Sequence, residues 1–487
     1  MARGSPRKPR TKRATASGVQ PPPIAFGTGG WRGVLGEEIT EPRLCALVHG
    51  VASWLRSRRV RGAVLVGFDG RSDSERLAGL AVEVLRARGL RVVRDVGRSS
   101  TPAVAGAVVP LRASAAIVLT ASHNAPRYHG LKLFGTRGEA VGGEAAKRVE
   151  ASAARALGST PGPAAQRGKL TRSDFSARYV KRLSRALTSD ASRARRLRVF
   201  YDALHGAGAG TLDAALRQRG FRVAGMRLES DPKFGGTAPD PSPARLRDLA
   251  RSVRDARGLR IGLATDGDAD RITAVDEGGR VLGDSELAAL LVDHLAASGR
   301  LRGGVALSAG SSSFVERVAE RHALATSRHR LGFKHLSHEL LSGAAEIAVD
   351  ESGGVAFGEF AFDKDGMFAG AMLAESVACS GVGLGEQLRR LRAECGNAVA
   401  GRAAVASSPR RLAALERLLA KPLASFDGSQ AREVDRSDGL RLVLRDGFVM
   451  WRASGTEPVI RIYAEAPGVR RLRERLAKAS ARLGVAR

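Results

Sequence analysis

Asp266, Asp268 and Asp270 alternate with small residues in Thr265-Asp266-Gly267-Asp268-Ala269-Asp270-Arg271. In an extended loop, alternate side chains face one way. Three unpaired carboxylates at that spacing raise one another's pKa, and a bound cation is the natural relief. Oxygen ligands without His or Cys select Mg2+, Mn2+ or Ca2+ over zinc. A calcium-binding helix–loop–helix is the rival reading, since Glu277 stands at its twelfth place. That motif needs glycine where Arg271 stands and helices on both flanks. Residues 259–264 and 272–275 instead read as strands, with a Gly278-Gly279 turn after the second.

A hydroxyl comes from Leu119-Thr120-Ala121-Ser122-His123-Asn124, directly after the apolar run 115–119. Ligands of open α/β sheets lie beyond the carboxyl ends of strands, so Ser122 is a candidate nucleophile with His123 beside it. Lys132 follows Tyr128-His129-Gly130-Leu131, where a glycine turn would return it toward Ser122. Taken alone, a serine in such a turn also serves as a backbone cap. Further on, Arg452-Ala453-Ser454-Gly455-Thr456-Glu457-Pro458 and Arg461 combine two fork donors, two hydroxyls and a glycine that lets backbone N–H groups turn inward. Such a set cradles an anion and suits a phosphate. Asp350-Glu351-Ser352-Gly353-Gly354 offers carboxylate and hydroxyl together, which suits sugar hydroxyls. It lies between Gly332-Phe333-Lys334 and Asp363-Lys364-Asp365-Gly366. A nucleophilic hydroxyl, a divalent-metal triad and a separate phosphate cradle imply phosphoryl transfer on a substrate that carries its own phosphate.

Elements must hold these residues. Residues 64–70 form an apolar run ending in a Gly/Asp turn, followed by a helical stretch to Arg88 and a second run at 90–93. Residues 199–206 begin the same pattern, with a helix to about Arg219 and a run at 221–224, and 305–310 begin a third copy. Strand, glycine-bearing turn, helix, strand is the order of a right-handed βαβ unit. The tail differs: residues 441–444 and 448–451 flank Asp446-Gly447, a hairpin signal, between helical stretches at 412–420 and 470–483. The expected fold is α/β, with three similar mixed α/β/α domains and a smaller C-terminal α+β domain. The expected units are a disordered basic arm (1–23), then 24–172, 173–284, 285–402 and 403–487.

With 487 residues and 43% hydrophobic content, the chain is too long for one ordinary core and too apolar to be largely disordered. No stretch approaches the roughly 18 apolar residues of a membrane span, and the basic N-terminus lacks the apolar run of a secretory signal. Cys45, Cys379 and Cys395 are few, odd in number and widely spaced, which fits a reducing, cytoplasmic setting. Lys+Arg number 79 against 49 Asp+Glu, a net charge of +30. Arg3, Arg7, Lys8, Arg10, Lys12 and Arg13 make the arm the one candidate for nucleic acid. The remaining basic residues are mostly scattered Arg, and 5% aromatic content leaves few rings to stack on bases, so nucleic acid is not the expected partner.

The motifs Phe26-Gly27-Thr28-Gly29-Gly30-Trp31-Arg32-Gly33, Thr120-Ala121-Ser122-His123-Asn124, Asp266 to Arg271, Asp350 to Gly354 and Arg452 to Pro458 occur in the order of a known family. The chain resembles the α-D-phosphohexomutases of the bacterial phosphoglucomutase/phosphomannomutase type over about residues 24–466. The resemblance implies four domains around one cleft and interconversion of hexose 1-phosphate and hexose 6-phosphate, glucose before mannose. It implies a phosphoserine at Ser122, a glucose 1,6-bisphosphate intermediate that also activates, and Mg2+ held by Asp266, Asp268, Asp270 and a phosphoryl oxygen on Ser122. Arg32, His123, Lys132 and Arg271 would surround the transferring group, with Lys364 as acid/base. Gly332, Phe333, Lys334, Asp350 and Ser352 would face the sugar. Arg452, Ser454, Gly455, Thr456 and Arg461 would hold the other phosphate. The expected state is a monomer or small homo-oligomer. An inactive relative that binds through its basic arm is the alternative, against which the intact Ser122, triad and cradle count.

Four positions depart from the family pattern. Asp350 is one methylene shorter than the usual Glu, so its sugar contact is expected to be altered or shared with Glu351. Ala125 replaces a proline and His129 an asparagine, which implies a somewhat less rigid catalytic loop. Gly354 replaces a histidine common in phosphomannomutases, which with Gly332-Phe333-Lys334 leans toward glucose.

Overall fold

The computed structural model describes residues 21–484 apart from 28, 159–161, 163–164 and 456–457. Most of the basic arm and Thr456 therefore lie outside the described residues. Within them the first unit is a six-stranded sheet of β1 (Trp31–Val34), β2 (Val64–Phe68), β3 (Val92–Asp95), β4 (Ala115–Leu119), β5 (Tyr128–Phe134) and β6 (Leu170–Ser173), ordered β1-β5-β4-β2-β3-β6. Strands β2 and β4 are apolar and buried at every residue, as parallel strands covered on both faces must be. The helix Ser74–Ala87 covers one face through Leu77, Ala78, Ala81, Val82 and Leu85, an i, i+1, i+4, i+5, i+8 stripe.

The second unit orders β7 (Arg198–Asp202), β8 (Arg222–Met226), β9 (Arg260–Thr265) and β10 (Ile272–Val275) as β10-β9-β7-β8. The third orders β11 (Val305–Ser308), β12 (Thr326–His329), β13 (Ile347–Val349) and β14 (Val355–Phe357) as β12-β11-β13-β14. One pattern recurs. A central strand (β2, β7, β11) is parallel to the next strand and to the one after it (β4, β9, β13), which then folds back on an antiparallel partner (β5, β10, β14). The loops inside these three hairpins carry Ser122, the aspartate triad and Asp350-Glu351-Ser352. The repeat thus puts three chemistries at equivalent places.

The fourth unit is antiparallel throughout. It contains β15 (Ala398–Ala406), β16 (Ser425–Phe426), β17 (Ser429–Asp435), β18 (Leu440–Leu444), β19 (Gly447–Ala453) and β20 (Val459–Pro467), ordered β15-β20-β19-β18-β17-β16. The Asp446-Gly447 hairpin forms as expected, with Gly447 at φ 136°. This unit has its own core around Trp451, whose indole N–H donates to the Ala479 carbonyl at 3.0 Å.

Each of the first three units has an apolar cluster of its own, around Trp54 and Ile117 in the first, Leu249 and Val275 in the second and Leu336 and Ala348 in the third, but the three also share a larger one. One apolar cluster runs from Leu65 and Phe134 through Tyr201 and Leu263 to Phe314 and Phe368. Its spine is the helix Gly366–Ser380, buried on every side from Gly366 to Ala378. A Cβ at Gly366 would lie 2.3 Å from the Arg271 carbonyl oxygen, so only glycine lets this helix start against the aspartate loop. Among the described residues no single helix is long and apolar enough to cross a membrane, and all three cysteines are free.

Asp365 caps that central helix and is fully buried. Its Oδ1 accepts from the Phe368 N–H at 2.9 Å and the Tyr179 hydroxyl at 2.6 Å. Burial raises its pKa to about 6, outweighing those two donors. Because the folded value lies above the unfolded value of 3.8, the stability this gives is complete below pH 3.8 and lost as pH rises through about 6. Asp365→Asn keeps the accepting oxygen without the charge. Its thermal midpoint relative to wild type should therefore rise between pH 5 and pH 8, by about 1.4 kcal/mol in free energy. A difference that does not change with pH would refute the assignment.

Candidate active site

Ser122 sits three residues past β4 with φ 53°, a left-handed conformation that costs a non-glycine residue about 1–2 kcal/mol. Its N–H donates to Thr120 Oγ1 at 2.8 Å. Its hydroxyl donates to Asp266 Oδ2 at 2.7 Å and lies 3.3 Å from His123 Nδ1. The Asp266 contact crosses from the first unit to the second. It is close because residue 267 is glycine: a Cβ there would meet the Ser122 carbonyl oxygen at 2.5 Å.

Asp266, Asp268 and Asp270 are buried and present oxygens within 4.8 Å of one another. Lys132 Nζ donates to Asp268 Oδ2 at 2.7 Å and Asp270 Oδ2 at 2.6 Å, and Lys364 Nζ lies 3.4 Å from Asp270 Oδ2. Lys132 thus belongs to the triad's surroundings and not to a glycine turn beside Ser122. Residues 128–134 are strand, and Gly130 is there for close packing, since a Cβ would meet the Trp31 carbonyl oxygen at 2.1 Å. Burial and the neighbouring carboxylates push Asp266 well up. Burial alone would raise Asp270, but Lys132, Lys364 and Arg271 outweigh it and hold that carboxyl well below its usual range. Among the described residues, Asp268 Oδ1 and Asp270 Oδ1 are buried without a hydrogen-bond partner. Three hard oxygen ligands, two with an unsatisfied oxygen, fit Mg2+.

Cations line the other side. Arg32 donates from Nη1 to Asn124 Oδ1 at 2.9 Å and from Nε to the Gly29 carbonyl at 3.0 Å. Burial, Arg271 and Arg32 depress His123 to about 2, so its imidazole is neutral. Lys364 stays protonated: burial lowers its pKa, but Asp270, Asp363 and Asp350 outweigh it and raise the balance. Its ammonium also lies 5.1 Å from the Phe333 ring centre.

The 350–354 loop closes on itself. Asp350 Oδ1 accepts from Ser352 N–H at 2.8 Å, Ser352 Oγ at 2.9 Å and Gly354 N–H at 2.8 Å. Glu351, expected to share the sugar contact, accepts from Ser308 Oγ at 2.7 Å. Gly332, at φ 112°, precedes the helix Phe333–Ser342. Phe333 is buried under Lys364, while Lys334 is exposed beside Gly142 of the first unit. Arg271, Glu351 and Ser352 open onto a cavity of about 950 Å3, walled also by Asp284, Arg402 and Tyr463. The cradle forms a second group, on the fourth unit. Arg452 and Arg461 stand opposite each other on β19 and β20, and Arg461 shares the strand face of Tyr463. Arg452 Nε donates to Asp438 Oδ1 at 2.8 Å, and Ser454 N–H to the Val459 carbonyl at 2.9 Å. Gly455 has open space above it, while Thr456 is outside the described residues.

Sequence reasoning missed Asp69, Arg71, Thr101 and Thr120. Thr101 donates from its hydroxyl to Asp268 Oδ2 at 2.5 Å and from its N–H to the Asp268 carbonyl at 2.9 Å. Asp69 and Arg71 follow β2, the parallel neighbour of β4, so the rule that selected Ser122 also pointed at them. The expected looser loop is in fact pinned: Arg71 holds the Ala125 carbonyl at 3.0 Å, and His129 is buried with Nε2 2.9 Å from Ser74 Oγ.

Models of the phosphoglucomutase/phosphomannomutase family match in chain order: α/β/α domain I at residues 23–157, domain II at 177–279, domain III at 283–395 and the C-terminal domain at 398–482. The chain is 31% identical over 457 residues to a phosphoglucomutase/phosphomannomutase of Thermococcus kodakarensis, covering 93% of this chain and 96% of that one. It is 30% identical to a phosphoglucosamine mutase of Rhodopseudomonas palustris, covering 90% and 93%. A crystal structure of a phosphoglucomutase/phosphomannomutase family protein from Burkholderia thailandensis superposes with a TM-score of 0.80 at 25% identity, covering 94% of this chain and 96% of that one.

The triad's unsatisfied oxygens make metal binding measurable without turnover. Mg2+ added to chelator-treated protein should raise the thermal midpoint, by an amount equivalent to about 2.7 kcal/mol at a hundredfold excess over Kd. Asp268→Asn should largely abolish that rise. An equal rise in the variant would mean that the ion binds elsewhere.

Proposed function

The chain belongs to the phosphoglucomutase/phosphomannomutase family of phosphohexomutases, and from that premise we propose that it interconverts hexose 1-phosphate and hexose 6-phosphate through a phosphoserine at Ser122. The observation that carries this reading is the Ser122 hydroxyl 2.7 Å from Asp266, beside two aspartates with unsatisfied oxygens. Asp266, Asp268 and Asp270 would hold Mg2+, which when bound supplies positive charge for the transferring phosphoryl group.

In the first half-reaction the phosphoryl group leaves Ser122 Oγ for the free hydroxyl of the bound sugar monophosphate, giving a 1,6-bisphosphate. Lys364 takes the hydroxyl's proton in its neutral form, which a cation held by Asp270 would favour by withdrawing the charge that otherwise keeps the ammonium protonated. In the second half the other phosphate returns to Ser122 Oγ, and Lys364 gives the proton to the departing sugar oxygen. Arg32, Lys132, Arg271 and neutral His123 surround the transferred group. Asp350, Ser352, Gly332, Phe333 and Lys334 form the sugar side. Arg452, Ser454, Gly455, Thr456 and Arg461 hold the phosphate that is not reacting. Such a cradle recognises a phosphate without regard to which carbon bears it, as a reorienting bisphosphate requires.

Glucose is the favoured sugar, with mannose second. Gly354 supports this reading, since Lys364 Cδ occupies the place a side chain would take, at 2.2 Å from a Cβ. The phosphoglucosamine mutase relatives add the amino sugar to the test. Initial rates on glucose 1-phosphate, mannose 1-phosphate and glucosamine 1-phosphate, each with its catalytic bisphosphate, should rank glucose first. A higher rate on glucosamine 1-phosphate would replace the sugar while keeping the mechanism. Ser122→Ala should lower kcat on the best substrate at least about 100-fold, as loss of a covalent nucleophile does. Wild-type rates in that variant would sink the mechanism.

A further inference from the structure

We infer that Arg71 is a positioning residue that holds Ser122 in its left-handed conformation and so aims its hydroxyl at the triad. A guanidinium has five N–H donors in one plane, and all five of Arg71's are engaged. Nε donates to Asp69 Oδ2 at 3.1 Å. Nη1 donates to the carbonyls of Ala125 at 3.0 Å and Tyr128 at 3.1 Å. Nη2 donates to the carbonyls of Ser122 at 2.5 Å and Asn124 at 2.7 Å. Four carbonyls of the nucleophile loop therefore converge on one buried cation.

The clamp is itself braced. Asp69 Oδ1 accepts from the Arg71 N–H at 3.0 Å and Ser74 Oγ at 2.7 Å. Asp69 Oδ2 accepts from Thr120 Oγ1 at 2.7 Å, and that same Thr120 oxygen accepts the Ser122 N–H. Ser122 is thus held from both sides, its N–H through Thr120 and its carbonyl through Arg71, with Asp69 joining the two. The second unit closes over the assembly: the Phe234 ring centre lies 5.0 Å from the Arg71 guanidinium carbon. A residue in a strained backbone conformation persists only where its surroundings over-determine it, and these contacts do so. Arg71 donates to no atom of the triad and not to the Ser122 hydroxyl, so it acts through the backbone.

The inference rests on Ser122 as the nucleophile, and the test separates the two claims. Arg71→Lys keeps the charge but presents a point donor in place of the fork. Thr120→Val keeps the shape and removes the oxygen that links Asp69 to the Ser122 N–H. Amide hydrogen exchange of peptides spanning 119–130 should be at least about tenfold faster in Arg71→Lys, with peptides of the fourth unit unchanged. Thr120→Val should show a smaller change in the same peptide. In the full-length enzyme Arg71→Lys should lower kcat, and the rate of Ser122 phosphorylation by glucose 1,6-bisphosphate, about 100-fold, with KM within threefold, as displaced reactive groups do. Millimolar guanidinium should restore part of the activity of Arg71→Ala. Unchanged exchange of the loop in both variants overturns the clamp. Faster exchange with unchanged phosphorylation overturns its positioning role. A wild-type protein that takes no phosphate on Ser122 overturns the nucleophile reading instead, while the exchange data still decide the clamp. Should Arg71→Lys not fold, Thr120→Val decides by the same measurements.

Discussion

Three buried carboxylates side by side are the constraint on which the structure turns. Isolated burial of even one ionised carboxyl is costly, and three within 4.8 Å would neutralise by taking up protons unless cations reach them. Lys132 comes from the first unit and Lys364 from the third, while the aspartates belong to the second. None of the three units can satisfy the triad alone. Their electrostatic interdependence matches the continuous apolar cluster that joins their sheets, so charge and packing require the same association.

The repeated hairpin explains how one chain brings different chemistries together. Beyond β4 stands a hydroxyl, beyond β9 the triad, and beyond β13 a loop closed by Asp350. These are equivalent ends of equivalent strands, where backbone groups run out of ladder partners and loops can face a ligand. The central helix then fixes their relation. Gly366 lets it begin against the Arg271 backbone, and the two residues before it supply Lys364 to the triad and Asp365 to the helix cap.

Much of this was legible in the sequence. The strand-turn-helix-strand repeats, the Asp446-Gly447 hairpin and the motifs were visible because each is local: a period, a turn signal or a cluster of like residues. What was not legible depends on long-range placement. Lys132 looked like a companion of Ser122, its neighbour in the chain, but an antiparallel strand carries it to Asp268 and Asp270, more than 130 positions away. Ala125 and His129 looked like losses of rigidity because what restrains that loop, Arg71, lies more than 50 positions earlier. Asp350 looked like a ligand one methylene short, yet one of its oxygens is occupied by its own loop. The sequence shows a carboxylate but not that one of its oxygens closes a turn, which only the fold reveals.

The fourth unit shows the same economy at its junction with the third. Asp438 accepts Arg452 Nε through one oxygen and the Leu331 N–H of the third unit through the other, at 2.8 and 2.7 Å. Around it Leu331 and Ala309 pack on Phe448, Met450 and Tyr463, and buried Glu465 accepts the Ser313 N–H at the start of the helix Ser313–Arg321, where a negative charge is favoured. Asp438 thus orients a cradle side chain through one oxygen and ties the fourth unit to the third through the other, so the position of Arg452 and the seating of the fourth unit depend on the same carboxylate.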